Sequence, residues 1–308
     1  MKTIITAALF ALLADLPVAA QDGPAVPQNP YAPGGAEGII VNTSWVSKRL
    51  IDPSLVLLHV GDRGEYDSLH LPGARFISTR EISAPSPEGS LSLELPAVEF
   101  LDSVFEAKGV SDRSTIVIYP GNDWFTPSAR VWLTLDYLGF SDHVHLMDGG
   151  MTAWKAEGKP LTAEIPALTP GSFTPHPRND VVVSKSWVYG KLKDPKVALI
   201  DARNPVYYTG QDTGNASRPG HIPGAKNLPF DSMVDSTNHF RAKSEIIDLF
   251  KTAGMDRGKT AVSYCHIGQQ ASLLYVMARV SGFEVRMYDG SMQEWTADPD
   301  MPVVVEKK

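Results

Sequence analysis

Three motif pairs recur along the chain in the same order. Leu69-His70-Leu71-Pro72-Gly73-Ala74 is answered by Gly220-His221-Ile222-Pro223-Gly224-Ala225, and Thr115-Ile116-Val117-Ile118-Tyr119 by Thr260-Ala261-Val262-Ser263-Tyr264. Asp148-Gly149-Gly150-Met151 with Trp154 is answered by Asp289-Gly290-Ser291-Met292 with Trp295. An internal duplication requires each copy to bury its own core, and 308 residues suffice for two domains of ordinary size. Between the copies, Pro160 to Asp180 carries prolines at 160, 166, 170, 175 and 177, which favours an extended, semi-rigid connection over a helix or central strand. The expected layout is a first domain over residues 38–159, a linker over 160–180 and a second domain over 181–308.

Each copy alternates short apolar runs with longer amphipathic stretches. Leu55-Val56-Leu57-Leu58-His59-Val60 and Val197-Ala198-Leu199-Ile200 read as buried strands, while Ala271, Leu274, Tyr275 and Ala278 fall on one helical face. Strands alternating with helices imply an α/β fold, each domain a mostly parallel sheet with helices on both faces. Ligands of such sheets bind outside the carboxyl ends of the strands. Cys265 stands at that place, directly after the strand Thr260 to Tyr264.

Composition narrows the partners. With 43% hydrophobic and 20% charged residues the chain matches a soluble globular protein. Its 28 basic and 35 acidic residues leave a net charge of -7 with no basic run, so nucleic acid is not an expected partner. A single cysteine cannot form an intrachain disulfide. At the amino terminus Lys2, the apolar run Thr3 to Ala14 and Val18-Ala19-Ala20 match a secretory signal over residues 1–20, followed by a Pro/Gly-rich segment over 21–37. The apolar run is short of the roughly 20 residues that a membrane anchor needs. Export to a periplasm or the extracellular space is expected, with no membrane association after cleavage.

Cys265-His266-Ile267-Gly268-Gln269-Gln270-Ala271 joins a strand to a helix amino terminus. Several backbone N–H groups there have no intrahelical acceptor and can converge on an anion. The positive potential favours thiolate over thiol; cysteines so placed have pKa values of about 3.5 to 7.5, against about 8.5 when free. The competing reading is a small buried hydrophobe. Two facts favour chemistry: an exported chain gains little from an unused thiol, and the first copy carries Pro120 at the corresponding point, so the fold does not require sulfur there.

Together, the paired His-x-Pro-Gly-Ala and Asp-Gly-(Gly/Ser)-Met-x-x-Trp motifs and the cysteine loop resemble a tandem rhodanese, the family of thiosulfate and 3-mercaptopyruvate sulfurtransferases, over residues 38 to 303. The resemblance implies two rhodanese-like domains, the first catalytically silent, and a two-step transfer through a Cys265 persulfide with no metal or organic cofactor. It implies a small anionic sulfur donor such as thiosulfate, with cyanide or a thiol as thiophilic acceptor. Donor and persulfide would be cradled by His266, Ile267, Gly268, Gln269, Gln270 and Ala271. Arg203 and Arg218 match positions where the family places substrate-facing arginines. Each has a competing reading as an ion pair with a local aspartate, and Asp201 is the candidate partner of Arg203.

The loop also departs from the family. Thiosulfate enzymes often carry Cys-Arg-Lys-Gly and mercaptopyruvate enzymes Cys-Gly-Ser-Gly, whereas this chain has Cys265-His266-Ile267-Gly268. Partial protonation of His266 and hydrogen bonds from Gln269 are the expected substitutes for the missing cations. A 3-mercaptopyruvate sulfurtransferase, or a non-catalytic protein that binds an oxyanion or a persulfide, are the alternatives.

Other signals read as structure. Gly254 to Thr260 nearly spells a phosphate-binding loop, but Ala253 holds its first glycine position and the stretch precedes a strand. His143, His145 and Asp148 fit a strand edge as well as a metal cluster, and no metal is expected. His70 and His221 precede Pro-Gly turns in both copies, and Trp154 and Trp295 read as core anchors. Phosphatases of similar fold close their cysteine loop with arginine, where this chain has Ala271. Trp124 and Phe125 lie in a loop two residues longer than its counterpart, which makes them candidates for the wall of the cleft.

Overall fold

The computed structural model describes residues 38–306; the export signal and the Pro/Gly-rich segment expected before residue 38 lie outside them. The first copy supplies strands β1 (Ile40–Val41), β2 (Leu55–Val60), β3 (Arg75–Ile77), β4 (Thr115–Pro120) and β5 (Val144–Met147). Its helices are α1 (Thr43–Ser47), α2 (Arg63–Ser68), α3 (Val98–Ala107), α4 (Phe125–Tyr137) and α5 (Gly150–Ala156). The second copy supplies β6 (Val182–Val183), β7 (Val197–Asp201), β8 (Lys226–Asn227), β9 (Thr260–Tyr264) and β10 (Glu284–Tyr288). Helices α6 (Lys185–Gly190), α7 (Pro205–Tyr208), α8 (Lys243–Thr252), α9 (Gln269–Ser281) and α10 (Ser291–Ala297) accompany them.

Both sheets are parallel and share one order: β1-β5-β4-β2-β3 and β6-β10-β9-β7-β8. The central strands β2, β4, β7 and β9 are the apolar runs of the sequence, as sheets covered on both faces require. The repeated motifs hold equivalent joints. Tyr119 and Tyr264 accept the N–H of Leu71 and Ile222 at 3.2 Å, and the indoles of Trp154 and Trp295 donate to Pro160 O and Pro302 O at 2.8 Å. His70 and His221 stack on Tyr66 and Tyr208 and hydrogen-bond their carbonyls through Nδ1. A contact made in both copies, only one of which has a cysteine, belongs to the fold.

Helices α4 and α9 are buried on nearly every face and pack against one another, joining the strands of both copies into one apolar core. Helices whose residues are buried all round need cover all round, and here each covers the other. Two charged residues of α4 lie within this buried contact. Arg130 reaches Asp289, and Asp136 accepts from Tyr275 Oη at 2.6 Å, from Arg178 at 2.5 Å and from Arg279. Buried charges are tolerable only when paired in this way.

The proline-rich connection follows the first domain without regular structure over residues 163–178. It bridges His70 at Thr162, and His176 and Arg178 donate to Leu138 O and Tyr137 O, two carbonyls at the end of α4. No helix among the described residues is long and apolar enough to cross a membrane. We expect Asp136→Asn, which removes the charge that two arginines and a tyrosine share, to lower stability by about 2–4 kcal/mol in urea titration. The single transition should split in two as the copies uncouple.

Candidate functional site

Strand β9 delivers Cys265 to the mouth of a loop that turns straight into α9. Gly268 caps that helix at φ +87°, a conformation open to glycine. The turn brings the N–H groups of Ile267, Gly268, Gln270 and Ala271 onto the Cys265 sulfur. The residue is 1% exposed. Burial pushes the thiol above its ordinary pKa, and the four amides pull it down by less. This corrects the expected net lowering: enclosure outweighs the dipoles of the loop.

Helix α10 fastens the loop from the other side. Met292 N and Gln293 N donate to Cys265 O and His266 O at 3.0 Å. Ser291 Oγ accepts the Cys265 N–H at 3.1 Å and donates to Tyr288 O. Ser291 does this at φ +50°, strained for a residue with a Cβ. Its counterpart Gly150 faces Pro120, which has no N–H to satisfy, and a Cβ on Gly150 would meet Pro120 Cγ at 2.6 Å. The two copies therefore differ by a coupled pair, Cys265 with Ser291 against Pro120 with Gly150. Sequence reasoning passed over Ser291, although the Gly/Ser difference between the duplicated motifs was the signal.

The remaining expected residues fall into two groups. Arg203 is sealed beneath the loop: Nε lies 2.9 Å and Nη2 2.6 Å from the Asp201 carboxylate, with Gly220 O at 2.8 Å from Nη2. Its charge reaches Cys265 and His266 only through space. Arg218 caps the end of α10, donating to the carbonyls of Trp295, Thr296, Asp298 and Met301. Both guanidiniums expected to face substrate are thus engaged within the chain, Arg203 by Asp201 and Arg218 by peptide carbonyls. His266 packs edge-on against Tyr207 at 4.7 Å, and burial with the nearby Arg203 charge lowers its pKa to about 4. It is neutral at pH 7, not the partial cation expected.

Gln269 reaches Thr126 of α4 at 3.4 Å, and the loop atoms His266 Nδ1 and Gln270 Oε1 are buried without a hydrogen-bond partner among the described residues. Trp124 is 52% exposed and packs against Phe230 of the second domain. Phe125 is fully buried against Phe240, an anchor of the interface rather than a cleft wall. His143, His145 and Asp148 diverge: His143 packs on Phe140, His145 bonds Gly38 O, and Asp148 pairs with His239 across the interface. No group of three metal-ligating side chains occurs among the described residues.

A strap from the first domain lies behind the loop. Leu95 N donates to Asp289 Oδ2 at 3.1 Å and Ser92 N to Gln293 Oε1 at 2.9 Å. Between them Glu94 is half-buried, and burial together with Asp289 and Glu294 raises its pKa to about 7.

A cysteine met by convergent peptide amides at the carboxyl end of a parallel strand is the centre of the site. The chain belongs to the rhodanese family as a tandem member: the model of the rhodanese-like domain matches residues 42–157 and again 184–298. The chain is 35% identical over 273 residues to the sulfur carrier protein TtuD of Thermus thermophilus, covering 83% of this chain and 93% of that one. It is 30% identical over 266 residues to a thiosulfate sulfurtransferase of Azotobacter vinelandii, covering 86% and 96%. A Pseudomonas aeruginosa protein named "Probable 3-mercaptopyruvate sulfurtransferase" is 32% identical over 279 residues, covering 86% and 97%. Among solved structures, the anaerobic ergothioneine biosynthesis enzyme of Chlorobium limicola in complex with trimethyl histidine shares the fold, with a TM-score of 0.77 and 23% identity. The match covers 88% of this chain and 71% of that one.

The raised Glu94 pKa has a sign that can be checked. A carboxyl whose folded pKa of about 7 exceeds its ordinary 4.5 contributes stability fully below 4.5 and loses it as pH rises through 7. We expect Glu94→Gln to leave urea stability unchanged at pH 4 and to raise it at pH 8. After allowance for solvent screening the gain is on the order of 1 kcal/mol.

Proposed function

We propose that the protein moves a sulfane sulfur from thiosulfate to a thiophilic acceptor through a persulfide on Cys265. The observation that carries this reading is the set of four peptide N–H groups aimed at the chain's one sulfhydryl. In the first step the thiolate attacks the outer sulfur of thiosulfate, a new S–S bond forms, the old one breaks, and sulfite leaves with the electron pair. In the second, cyanide or a thiolate attacks the outer sulfur of the persulfide and the Cys265 thiolate is released. The cradle meets negative charge in the attacking thiolate, the transition state and the persulfide, and needs no reorganisation between them. The route calls for no metal or organic cofactor. The amino-terminal sequence supports an exported location, where the acceptor need not be cyanide.

A pKa above the ordinary thiol value lowers the thiolate fraction at neutral pH but raises the intrinsic nucleophilicity of the anion that forms. With Arg203 and Arg218 engaged elsewhere and His266 neutral, donor capture rests on peptide dipoles. The relatives include both thiosulfate and 3-mercaptopyruvate names, so the second donor is the competing reading, and comparing kcat/KM for the two separates them.

Cys265→Ser should fold and lose thiosulfate-to-cyanide transfer completely; full residual activity would remove the proposal. Intact mass after incubation with thiosulfate should show one added sulfur, discharged by cyanide, whereas a pure binder stays unmodified. The rate of sulfur uptake should keep climbing with pH beyond the free-thiol value of about 8.5. Ile267→Lys, which adds a cation to the loop, should raise kcat/KM for thiosulfate about fivefold at low salt, equivalent to roughly 1 kcal/mol, with the gain fading as salt is added.

A further inference from the structure

One fully buried side chain of the half that carries no cysteine reaches the floor of the cysteine loop. Arg130 is fully buried in α4 of the first domain, yet its guanidinium crosses the interface to Asp289, with Nη1 at 2.5 Å from Oδ1 and Nη2 at 3.1 Å from Oδ2. Nη2 also donates to Leu93 O in the strap. The pair lies directly under Gly268: a Cβ built there would meet Asp289 Oδ1 at 2.7 Å and Arg130 Nη1 at 3.2 Å. Gly268 donates one of the four N–H groups on the sulfur and begins the helix that supplies two more, those of Gln270 and Ala271. Asp289 also leads directly into the start of α10, whose Ser291, Met292 and Gln293 hold the backbone of Cys265 and His266.

We propose that Arg130 is a positioning residue for the sulfur chemistry of the other domain: acting through Asp289 and Gly268, it holds the loop amides on Cys265. A guanidinium suits the task because its planar fork fixes both carboxylate oxygens at once, where an ammonium holds one point. Losing it has two consequences of the same sign. The floor beneath Gly268 is no longer fixed, so the amides lose register with the sulfur. The Asp289 carboxylate is also left unbalanced beside the loop, next to Glu94, and negative charge there opposes a second anion at Cys265.

The inference rests on the sulfur-carrier reading, but its test does not require turnover. Cys265 is the sole cysteine, so iodoacetamide alkylation of the full chain reports on this thiol alone. We expect Arg130→Met to move the alkylation pH profile upward by about one unit and to slow alkylation about tenfold at fixed pH, with Arg130→Lys recovering part of both. Near-ultraviolet circular dichroism and a cooperative urea transition establish that the variant is folded. A folded Arg130→Met with the parent profile overturns the proposal. Should the methionine variant fail to fold, hydrogen exchange on Arg130→Lys decides. The amides of residues 267–271 must exchange about tenfold faster while those of β9 are unchanged, and parent-like protection of the loop overturns the proposal equally. Absence of any thiosulfate-derived sulfur on the parent protein, with the Arg130 effects intact, would sink the functional reading and leave the positioning role standing.

Discussion

Helix α4 of one copy lies against helix α9 of the other, and both sheets are oriented by that contact. Each helix is buried on nearly its whole circumference, so neither copy presents it to water. The interface is therefore part of the core rather than a meeting of finished surfaces. Its cost lies in the charges it encloses, and Arg130 with Asp289 and Asp136 with its three partners show how that cost is offset. Because α9 starts at the cysteine loop, fixing α9 also fixes the direction of the amides that meet the sulfur.

The cradle and its enclosure oppose each other. Peptide dipoles favour an anion at Cys265, while exclusion of water disfavours it, and here the second effect is the larger. The neutrality of His266 and the internal pairing of Arg203 leave the loop with dipoles where other arrangements would use cations.

Much of this was legible in the sequence. The strands at Leu55–Val60, Val197–Ile200 and Thr260–Tyr264 were visible because strands buried on both faces are largely apolar runs. Cys265 stood out because Pro120 occupied its place in the other copy. What could not be read depended on distance along the chain. Arg130 and Asp289 are 159 positions apart, and nothing local marks them as partners. The hydrogen bonds of Arg218 to the carbonyls that close α10 were not legible, because they need knowledge of where that helix ends. The direction of the Cys265 shift was misjudged because the loop's dipoles follow from local order, whereas its burial is decided by packing between elements.

The coupled difference between the copies has an evolutionary reading. A proline opposite a glycine and a cysteine opposite a serine are two self-consistent solutions at one joint, and the mixed states are poor. Cysteine facing Gly150 would leave its N–H without the hydroxyl acceptor that Ser291 provides, and serine facing Pro120 would meet the ring carbon at well under van der Waals distance. Passage between the proline-bearing and the cysteine-bearing joint thus crosses a valley one substitution deep, which keeps each copy in the form it holds.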